Sequence, residues 1–330
     1  MNSVPEISVV MANYNSSRYL EAAVKSVQNQ TFKCWELILV DDASQDDSVA
    51  LATRLSQSDA RISVMRLTAN RGPAAARNRA FAIARGRWIA VLDSDDIMLP
   101  QRLQNLWHRA STDKAAIVAD NLLVFSDNIQ AAQPFLTDAL SVAPRWISLA
   151  DFINSNRLYS RTPDLGFLKP FLNAEMLRNS GISYDEQLHI GEDYDFMARL
   201  LAHGLKLRLE PSALYLYRKH ARSASHRIRG GDIVALIEAD ERLLRDFPML
   251  KDGELLALRR RRQSLASMLL YDRIVVLIKT GQYAHAAALG LGAPHVWPLL
   301  TRPFRARWNR LLSGDRRAKA DSNSLSPDRQ

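Results

Sequence analysis

The amino-acid sequence predicts an α/β fold: a doubly wound, mostly parallel sheet followed by a mainly helical C-terminal extension. Over the first 125 residues, short runs that are apolar on both faces alternate with helical stretches. Strands of this kind are typical of a parallel sheet that helices cover on both sides. The alternation stops after about residue 126, and from about residue 231 onwards the pattern is helical.

The strands and helices of this first part are predicted to alternate along the chain. The five strands are expected at residues 7–11, 36–40, 62–67, 88–92 and 116–125. The four helices between them are expected at residues 18–30, 46–56, 73–85 and 100–110. Asp46 and Asp47 suit the positive N-terminal end of the second helix, and Pro100 is typical of a first helical turn.

The second part of the chain is predicted to be less regular. Residues 127–165 contain Pro134, Pro144 and Pro163 and are expected to be irregular. Helices are expected at 174–179, 192–203, 232–246 and 254–270, with shorter helical pieces to about 312 and one more strand at 214–217. Residues 313–330 are polar and are expected to be disordered.

Composition, charge and cysteine content predict a cytoplasmic protein. Hydrophobic residues make up 47% of the chain, and no stretch approaches the roughly 18 consecutive apolar residues of a spanning helix. The N-terminus lacks a secretory signal, and Cys34, the only cysteine, cannot form an internal disulfide. Residues 251–330 carry 15 basic and 6 acidic side chains, against 29 and 29 in residues 1–250, so the net charge of +9 belongs to the last 80 residues.

Polar side chains follow three of the predicted strands. Ligands of doubly wound sheets bind at the carboxyl ends of the strands, so these groups are expected to converge on one edge. They are Ala12-Asn13-Tyr14-Asn15 after the first strand, Asp41-Asp42-Ala43-Ser44 after the second and Asp93-Ser94-Asp95-Asp96 after the fourth.

The acidic group after the fourth strand predicts a metal site. Asp93, Asp95 and Asp96 place several hard oxygen ligands in one short turn, which Mg²⁺ or Mn²⁺ prefers when a substrate diphosphate completes its coordination. The alternative is that these acids cap the following helix. Asp42 can accept hydrogen bonds from a nucleobase or ribose and Tyr14 can stack on a base, but a plain turn and plain packing are the alternatives.

Two further groups lie beyond residue 190. Glu192, Asp193 and Asp195 open a predicted helix directly after Gly191, where one carboxylate can serve as a general base. The alternative is that these acids only stabilise the positive end of the helix. Residues 217–223 place cations and a histidine after a strand, where they can contact a diphosphate, complete a metal shell or form a solvated basic loop.

Two other enzyme classes are disfavoured by the loop after the first strand. A dinucleotide-binding Rossmann enzyme needs Gly-x-Gly-x-x-Gly there, yet no glycine occurs between Met1 and Arg71, and a P-loop is absent too. A metal-dependent nucleotidyltransferase would want a glycine-rich loop with a basic residue, which residues 13–16 do not supply.

These groups, in this order, resemble family 2 glycosyltransferases with the GT-A fold. The resemblance covers about residues 6–225, and the segments that carry it are ISVVMANYN (7–15), WELILVDDAS (35–44), NRGPAAARNRAFAIARGRWIAVLDSDD (70–96) and GED (191–193). Within the family, DLGFLKP (164–170) and GEDYDFMARLL (191–201) resemble the ExoU-like glucosyltransferases of bacterial succinoglycan-type exopolysaccharide synthesis.

The resemblance implies roles for the nucleotide-binding residues. Tyr14 and Asp42 would hold the uracil and ribose together with the backbone near Ala12, where many relatives carry Thr or Pro. Arg77 would lie near the nucleotide. Asp93 belongs to the Asp-x-Asp pair on the donor side.

The resemblance also implies the metal, the base and the closing element. Asp95, together with Asp96, would meet Mg²⁺ or Mn²⁺, and Asp193 matches the catalytic base. Arg218 and His220 match an element that closes over the diphosphate. The implied domains are a GT-A domain at 1–225, with a nucleotide-binding half (1–125) and an acceptor half (126–225), a helical basic extension at 226–312 and a tail at 313–330.

The function implied is inverting, metal-dependent transfer of a sugar, with UDP-glucose as the expected donor. The expected acceptor is an undecaprenyl-diphosphate-linked saccharide in exopolysaccharide biosynthesis. The alternative is a non-catalytic module that binds a nucleotide sugar or serves as a scaffold in a polysaccharide assembly complex.

The basic C-terminal third is expected to lie on an anionic membrane surface, at the inner face of the cytoplasmic membrane. The alternative is a solvated charged face, and nucleic acid is not expected because residues 1–250 have no basic excess. The cations in question are Arg259–Arg262 and, around Phe304 and Trp308, Arg302, Arg305, Arg307, Arg310, Arg316 and Arg317.

Overall fold

A computed structural model of the protein describes residues 4–126, 129–137, 140, 142–157, 162–220, 228 and 230–297. The predicted tail at 313–330 lies outside the described residues, as do the arginines from Arg302 to Arg317 and the predicted domain boundary at 225–226. Within the described part of the chain, no helix is both long enough and apolar enough to span a bilayer.

In the part of the chain that the structure describes, ten strands form a single sheet. They are β1 (Ile7–Asn13), β2 (Trp35–Asp41), β3 (Ile62–Arg66), β4 (Trp88–Asp93), β5 (Ile97–Met98), β6 (Ile117–Phe125), β7 (Gln133–Pro134), β8 (Arg145–Ile147), β9 (Pro170–Asn173) and β10 (Leu207–Arg218). Their order is β3-β2-β1-β4-β9-β6-β10-β5, with β7 beside β6 and β8 beside β10. The pairs β1–β2, β1–β4, β2–β3 and β6–β10 are parallel, which confirms the predicted mostly parallel sheet.

The described residues also form ten α-helices, which connect or follow the strands. They are α1 (Ser17–Gln28), α2 (Ser48–Ser58), α3 (Gly72–Ile83), α4 (Arg102–Asp113), α5 (Leu149–Ser155), α6 (Ala174–Ser180), α7 (Glu192–Ala202), α8 (Gly230–Asp246), α9 (Asp252–Lys279) and α10 (Tyr283–Leu291). The five strands and four helices predicted for the first 125 residues are confirmed, with ends that differ by up to three residues.

The central strands are apolar on both faces because helices cover both sides of the sheet. All seven residues of β2 are buried, as are six of the seven in β1. Burial of such side chains contributes about 1.5–3 kcal/mol each for the larger aliphatic ones. The same pattern predicted these strands from sequence.

Strand β9 is the main element that the sequence did not predict. It has only four residues, begins with Pro170, and lies antiparallel between β4 and β6. Because it runs opposite to β4, the chain enters β9 at the edge where β4 ends. This arrangement brings the residue before Pro170 to the carboxyl ends of the parallel strands.

The helical extension shares the main hydrophobic core. Leu243 of α8 and Ala257 and Leu258 of α9 belong to the same buried cluster as the central strands. Arg259 and Arg260 are exposed, but Arg261 is only 1% exposed. The expectation that Arg261 is a surface cation is therefore wrong, because its guanidinium is paired inside the protein with Asp240.

Candidate active site

The ends of β1, β2 and β4 meet at one edge of the sheet. Ala12 lies opposite Val40 of β2 and opposite Asp93 of β4. The turns after β1 and β2 are tied together, because Asn13 Nδ2 donates to Asp41 Oδ1 at 2.7 Å and the Ser44 amide donates to Asp41 Oδ2 at 2.9 Å. The predicted convergence of the three polar groups is therefore a feature of the fold.

Two of the predicted nucleotide contacts differ strongly in exposure. Tyr14 is 44% exposed at this edge, and Ala12 is half-buried. Asp42 is 2% exposed, and its two carboxylate oxygens accept the backbone N–H groups of Arg71 at 2.7 Å and Gly72 at 2.8 Å. Asp42 thus shapes the loop that begins α3.

Arg77 and Lys169 each bridge the same two aspartates. Arg77 donates to Asp93 Oδ1 at 2.7 Å and to Asp193 Oδ1 at 3.1 Å. Lys169 Nζ lies 2.8 Å from Asp93 Oδ2 and 2.8 Å from Asp193 Oδ2. Arg77 also contacts Glu192 Oε1 at 3.0 Å. We call Arg77, Asp93, Lys169 and Asp193 the ion cluster.

The ion cluster keeps both of its aspartates ionised. Burial by itself raises the pKa of the Asp93 and Asp193 carboxyls, but Lys169 and Arg77 outweigh burial and hold each pKa below its ordinary value. Burial also lowers the pKa of Lys169, yet the two aspartates raise it well above its ordinary value. Burial and the neighbouring Asp193 raise the pKa of Glu192 instead.

The other acids of the Asp-x-Asp-Asp turn face different partners. Asp95 Oδ2 lies 2.8 Å from His220 Nε2, and burial together with Asp93 raises the pKa of Asp95. Asp96 is 1% exposed; its oxygens accept the hydroxyl of Tyr215 at 2.8 Å and the N–H of Arg218 at 2.7 Å. Burial, Asp95 and Asp93 raise the pKa of Asp96 well above its ordinary value.

The donor chemistry at this turn fits a divalent ion held by Asp95 and His220. Among the described residues, no group of three or more His, Cys, Asp or Glu side chains is arranged to hold a metal. A pair is nevertheless enough where substrate phosphate oxygens and water fill the remaining positions, as Mg²⁺ sites commonly require. Asp96 does not fit this role as well, because it is only 1% exposed and both of its oxygens are held by hydrogen bonds inside the protein.

Arg218 and His220 lie beside Asp95 at the end of β10. Arg218 Nε donates to the Asp95 carbonyl at 2.9 Å, and its guanidinium carbon lies 4.8 Å from the centre of the Tyr19 ring and 4.5 Å from that of Phe125. The His220 ring stacks on Tyr19 with centroids 5.1 Å apart. Tyr19 was not predicted as a site residue, because it lies in the regular helical pattern of α1.

Lys169 is the most important residue that sequence reasoning missed. The chain from Asp164 to Pro170 resembled family members, but a single lysine before a proline carries no recognisable chemical pattern. Its position beside Asp93 and Asp193 depends on the antiparallel entry of the chain into β9. No pattern in the sequence therefore identifies Lys169 as a site residue.

The chain is similar in sequence to known proteins. The model of the family described as Glycosyl transferase family 2 matches residues 8–167. The succinoglycan biosynthesis protein ExoO of Rhizobium meliloti is 36% identical over 314 residues, which cover 95% of this chain and 89% of ExoO. The chain belongs to glycosyl transferase family 2.

Two further relatives of this family 2 glycosyltransferase are a second succinoglycan biosynthesis protein and a glucosyltransferase. The succinoglycan biosynthesis protein ExoU of Rhizobium meliloti is 36% identical over 76% of this chain and 72% of ExoU. The UDP-Glc:alpha-D-GlcNAc-diphosphoundecaprenol beta-1,3-glucosyltransferase WfaP of Escherichia coli is 29% identical over 66% of this chain and 79% of WfaP.

Solved structures of two other proteins share the fold. S. aureus TarS in complex with UDP-GlcNAc has a TM-score of 0.60 at 17% identity, over 86% of this chain and 88% of that one. The mannosyltransferase PcManGT of Pyrobaculum calidifontis, in complex with GDP-Man and Mn²⁺, has a TM-score of 0.58 at 19% identity, over 92% of this chain and 82% of that one. The predicted GT-A fold of this family 2 glycosyltransferase is confirmed.

Proposed function

We propose that this family 2 glycosyltransferase transfers glucose from UDP-glucose to a saccharide acceptor, with inversion at the anomeric carbon, in exopolysaccharide biosynthesis. One observation carries the proposal. Asp193, at the start of α7, lies in the same ion cluster as Asp93, at the end of β4. The carboxylate that we propose as the general base thus lies next to the strand end where the donor is expected.

The names of the relatives support the finer parts of the proposal. ExoO and ExoU are succinoglycan biosynthesis proteins, and WfaP acts with UDP-Glc on a diphosphoundecaprenol-linked sugar. For this chain we therefore propose glucose as the sugar and an undecaprenyl-diphosphate-linked saccharide as the acceptor.

The donor is proposed to bind across the edge formed by β1, β2 and β4. Tyr14 would stack on the uracil, and the backbone near Ala12 would contact the nucleotide. Asp42 would act through the Arg71–Gly72 loop that it holds. Asp95 and His220 would hold a Mg²⁺ or Mn²⁺ ion, which supplies charge neutralisation to the leaving diphosphate.

Asp193 is proposed to take the proton of the attacking acceptor hydroxyl. As the new C–O bond forms at the anomeric carbon, the bond to the diphosphate breaks, and UDP leaves with the electron pair. A single displacement from the opposite face of the sugar inverts the configuration. Each Asp193 oxygen has a second lone pair besides the one that accepts from Arg77 or Lys169, so the hydroxyl can bind without displacing either cation.

Arg77 and Lys169 are proposed to orient this base. Since they hold the pKa of Asp193 below its ordinary value, the carboxylate is ionised throughout the neutral range. The same cations contact both Asp93 and Asp193 and so hold the two carboxylates side by side. A lower pKa also makes Asp193 a weaker base, so its accurate position relative to the acceptor hydroxyl has to compensate for this.

The donor and the metal are tested together by hydrolysis of a panel of nucleotide sugars, with Mn²⁺ and with EDTA. We expect slow, metal-dependent release of UDP from UDP-glucose. Asp95→Ala should abolish this release, because it removes a proposed metal ligand. Equal turnover with EDTA, or another preferred donor, would contradict the metal or the glucose assignment respectively.

The base is tested by Asp193→Asn, with Asp195→Asn as the matched control in the same helical turn. Asp195 pairs with Arg199, outside the ion cluster. We expect Asp193→Asn to bind UDP normally and to lose transfer by about 10²–10⁴-fold, whereas Asp195→Asn retains it. Normal transfer by Asp193→Asn would remove Asp193 from the mechanism.

We propose further that the basic extension lies on an anionic membrane, where a lipid-linked acceptor would be found. Arg259 and Arg260 of α9 are exposed cations that suit such a surface. The protein is expected to co-sediment with vesicles that contain phosphatidylglycerol and not with phosphatidylcholine vesicles. Unchanged binding after Arg259→Glu and Arg260→Glu would show that these residues do not contribute.

A further inference from the structure

Helix α8 packs directly on the residue that begins the base-bearing helix. Gly191, immediately before α7, has a φ of 82° in the left-handed region. A Cβ atom added there would lie 2.5 Å from Leu236 Cδ2, so Leu236 occupies the space that any side chain at this position would fill. Leu236 belongs to α8 and is 4% exposed. The extension thus touches the chain two residues before Asp193.

A buried arginine of α9 lies against the residue that follows Asp193. The guanidinium carbon of Arg261 is 3.7 Å from the centre of the Tyr194 ring. Arg261 is ion-paired with Asp240 of α8, and both side chains are almost completely buried. A guanidinium in this position cannot slide without breaking a buried ion pair, so Tyr194 rests on a fixed support.

The same arginine is connected to the segment that carries Lys169. Arg261 Nε donates to Asn156 Oδ1 at 2.9 Å, and Asn156 Nδ2 donates to both Asp164 oxygens at 2.7 Å. Asp164 in turn accepts the N–H of Gly166 at 2.8 Å, three residues before Lys169. Arg261 is therefore connected both to the residue next to Asp193 and to the segment that precedes Lys169.

A third contact ties α8 to the loop that leads into α7. Arg242 Nη2 donates to Asp185 Oδ2 at 2.7 Å. On its other side this loop contacts α3, because Glu186 pairs with Arg71 at 2.7 Å and the Tyr184 carbonyl accepts from Asn78 at 2.9 Å. The loop is thus fixed between the nucleotide-binding half and the extension.

We infer that the α8–α9 pair is part of the transfer machinery, as a brace that sets the position of Asp193, and that Arg261 is its central positioning residue. The inference rests on the proposed role of Asp193 as the base. Three contacts, at Leu236, Arg242 and Arg261, converge on residues 185–194. A base that must meet an acceptor hydroxyl within hydrogen-bond distance gains from such support, since a displacement of 1 Å can reduce a rate by about 10²-fold.

The test compares Arg261→Met with Arg262→Met. The two arginines are neighbours in α9 and each pairs with an acid of α8, but the Arg262–Glu241 pair is about half exposed and is not one of the three contacts to residues 185–194. UDP binding is measured by calorimetry with Mn²⁺, and kcat by hydrolysis of UDP-glucose. We expect Arg261→Met to lower kcat by about 10–100-fold while the Kd for UDP changes less than about twofold. Arg262→Met should match the wild type.

Hydrogen exchange gives a readout that does not depend on activity. In Arg261→Met, the amides of residues 192–196 should exchange faster than in Arg262→Met, while those of residues 74–80 in α3 stay unchanged. If Arg261→Met does not fold, Arg242→Met provides the same comparison from the partly exposed contact with Asp185. If the wild-type protein does not hydrolyse a UDP-sugar, the proposed function is contradicted. The exchange pattern would still show whether α8 and α9 hold the first turn of α7 in place.

Two results would overturn the inference. One is normal kcat in a folded Arg261→Met or Arg242→Met variant. The other is a parallel loss of UDP affinity, kcat and exchange protection throughout the protein, since that pattern indicates general destabilisation. Loss confined to kcat and to the first turn of α7 would support it.

Discussion

Replacing Lys169 with methionine removes one of the two cations that bridge Asp93 and Asp193. Lys169 is 4% exposed, and its ammonium group lies 2.8 Å from an oxygen of each aspartate. With Glu192 included, the site changes from three acids and two cations to three acids and one cation. Arg77 alone then has to balance the buried negative charge.

The free-energy cost follows from the burial of the two partners. Removal of one member of a buried ion pair typically costs about 3–5 kcal/mol, because the other charge stays buried without compensation. The side chains of Asp93 and Asp193 are 21% and 17% exposed, so water reaches them and the lower part of that range applies. We therefore expect Lys169→Met to lower the free energy of unfolding by about 3 kcal/mol at neutral pH.

The pH dependence follows from the direction of the shifts. The pKa of Asp193 is depressed in the folded protein, so its ionised form stabilises the fold above its unfolded pKa, and this contribution is lost as the pH falls through the folded pKa. The pKa of Lys169 is raised, so its contribution is present below its unfolded pKa. The difference between variant and wild type should thus be constant between about pH 5 and pH 10 and should shrink in acid.

The assay combines urea unfolding with a pH profile of UDP-glucose hydrolysis. Because Lys169→Met weakens the depression of the Asp193 pKa, the acid limb of kcat/KM should move to higher pH. Lys25→Met is the matched control: its pair with Glu21 is exposed to solvent, so its loss should change the free energy of unfolding far less. An acid limb that does not move, with a stability loss no larger than that of Lys25→Met, would refute the reasoning.

Three further predictions concern residues around the site. Gly191→Ala should lower the free energy of unfolding by about 1–2 kcal/mol because of the left-handed φ of 82° alone, and it should also displace a leucine of α8. Gly253→Ala, whose added Cβ meets open space in α9, should instead raise the free energy of unfolding by about 0.4–1 kcal/mol. Thermal unfolding compares the two variants. Tyr215→Phe should lower the free energy of unfolding in urea by about 1–3 kcal/mol, because Asp96 loses a buried hydroxyl donor, and an unchanged value would show that this hydrogen bond adds nothing. Arg77→Lys should reduce UDP-sugar hydrolysis by up to about 10²-fold, since one ammonium cannot reproduce contacts made by two guanidinium nitrogens to three carboxylates; full activity would contradict this role.

The strands and helices that sequence predicted best are those with strong local patterns. β1, β2 and β4 are continuous apolar runs, and α1 and α4 carry clear amphipathic periodicity. The short strands β7, β8 and β9 have two to four residues, too few to show any period. They exist because longer neighbouring strands offer free backbone hydrogen-bonding groups.

The site residues also divide into those that a local sequence pattern predicts and those that only the fold brings together. Asp93, Asp95 and Asp193 were predicted because acids cluster after a strand or at a helix start. The sequence could not assign their partners, because Arg77 and Asp193 are 116 residues apart and Lys169 and Asp193 are 24 residues apart. Such pairs depend on the order of strands in the sheet.

Arg261 illustrates the limit most clearly. Within the run from Arg259 to Arg262 the sequence offers four equivalent cations, and only the packing of α9 against α5 and α8 decides which one is buried. Sequence by itself determined the fold class, the edge of the sheet where the polar strand ends meet and the acids that lie there, because periodicity and strand ends are local properties. Tertiary structure alone decided the ion cluster, the separate positions of Asp95 and Asp96, and the support of Asp193 by the extension, because each depends on contacts between distant parts of the chain.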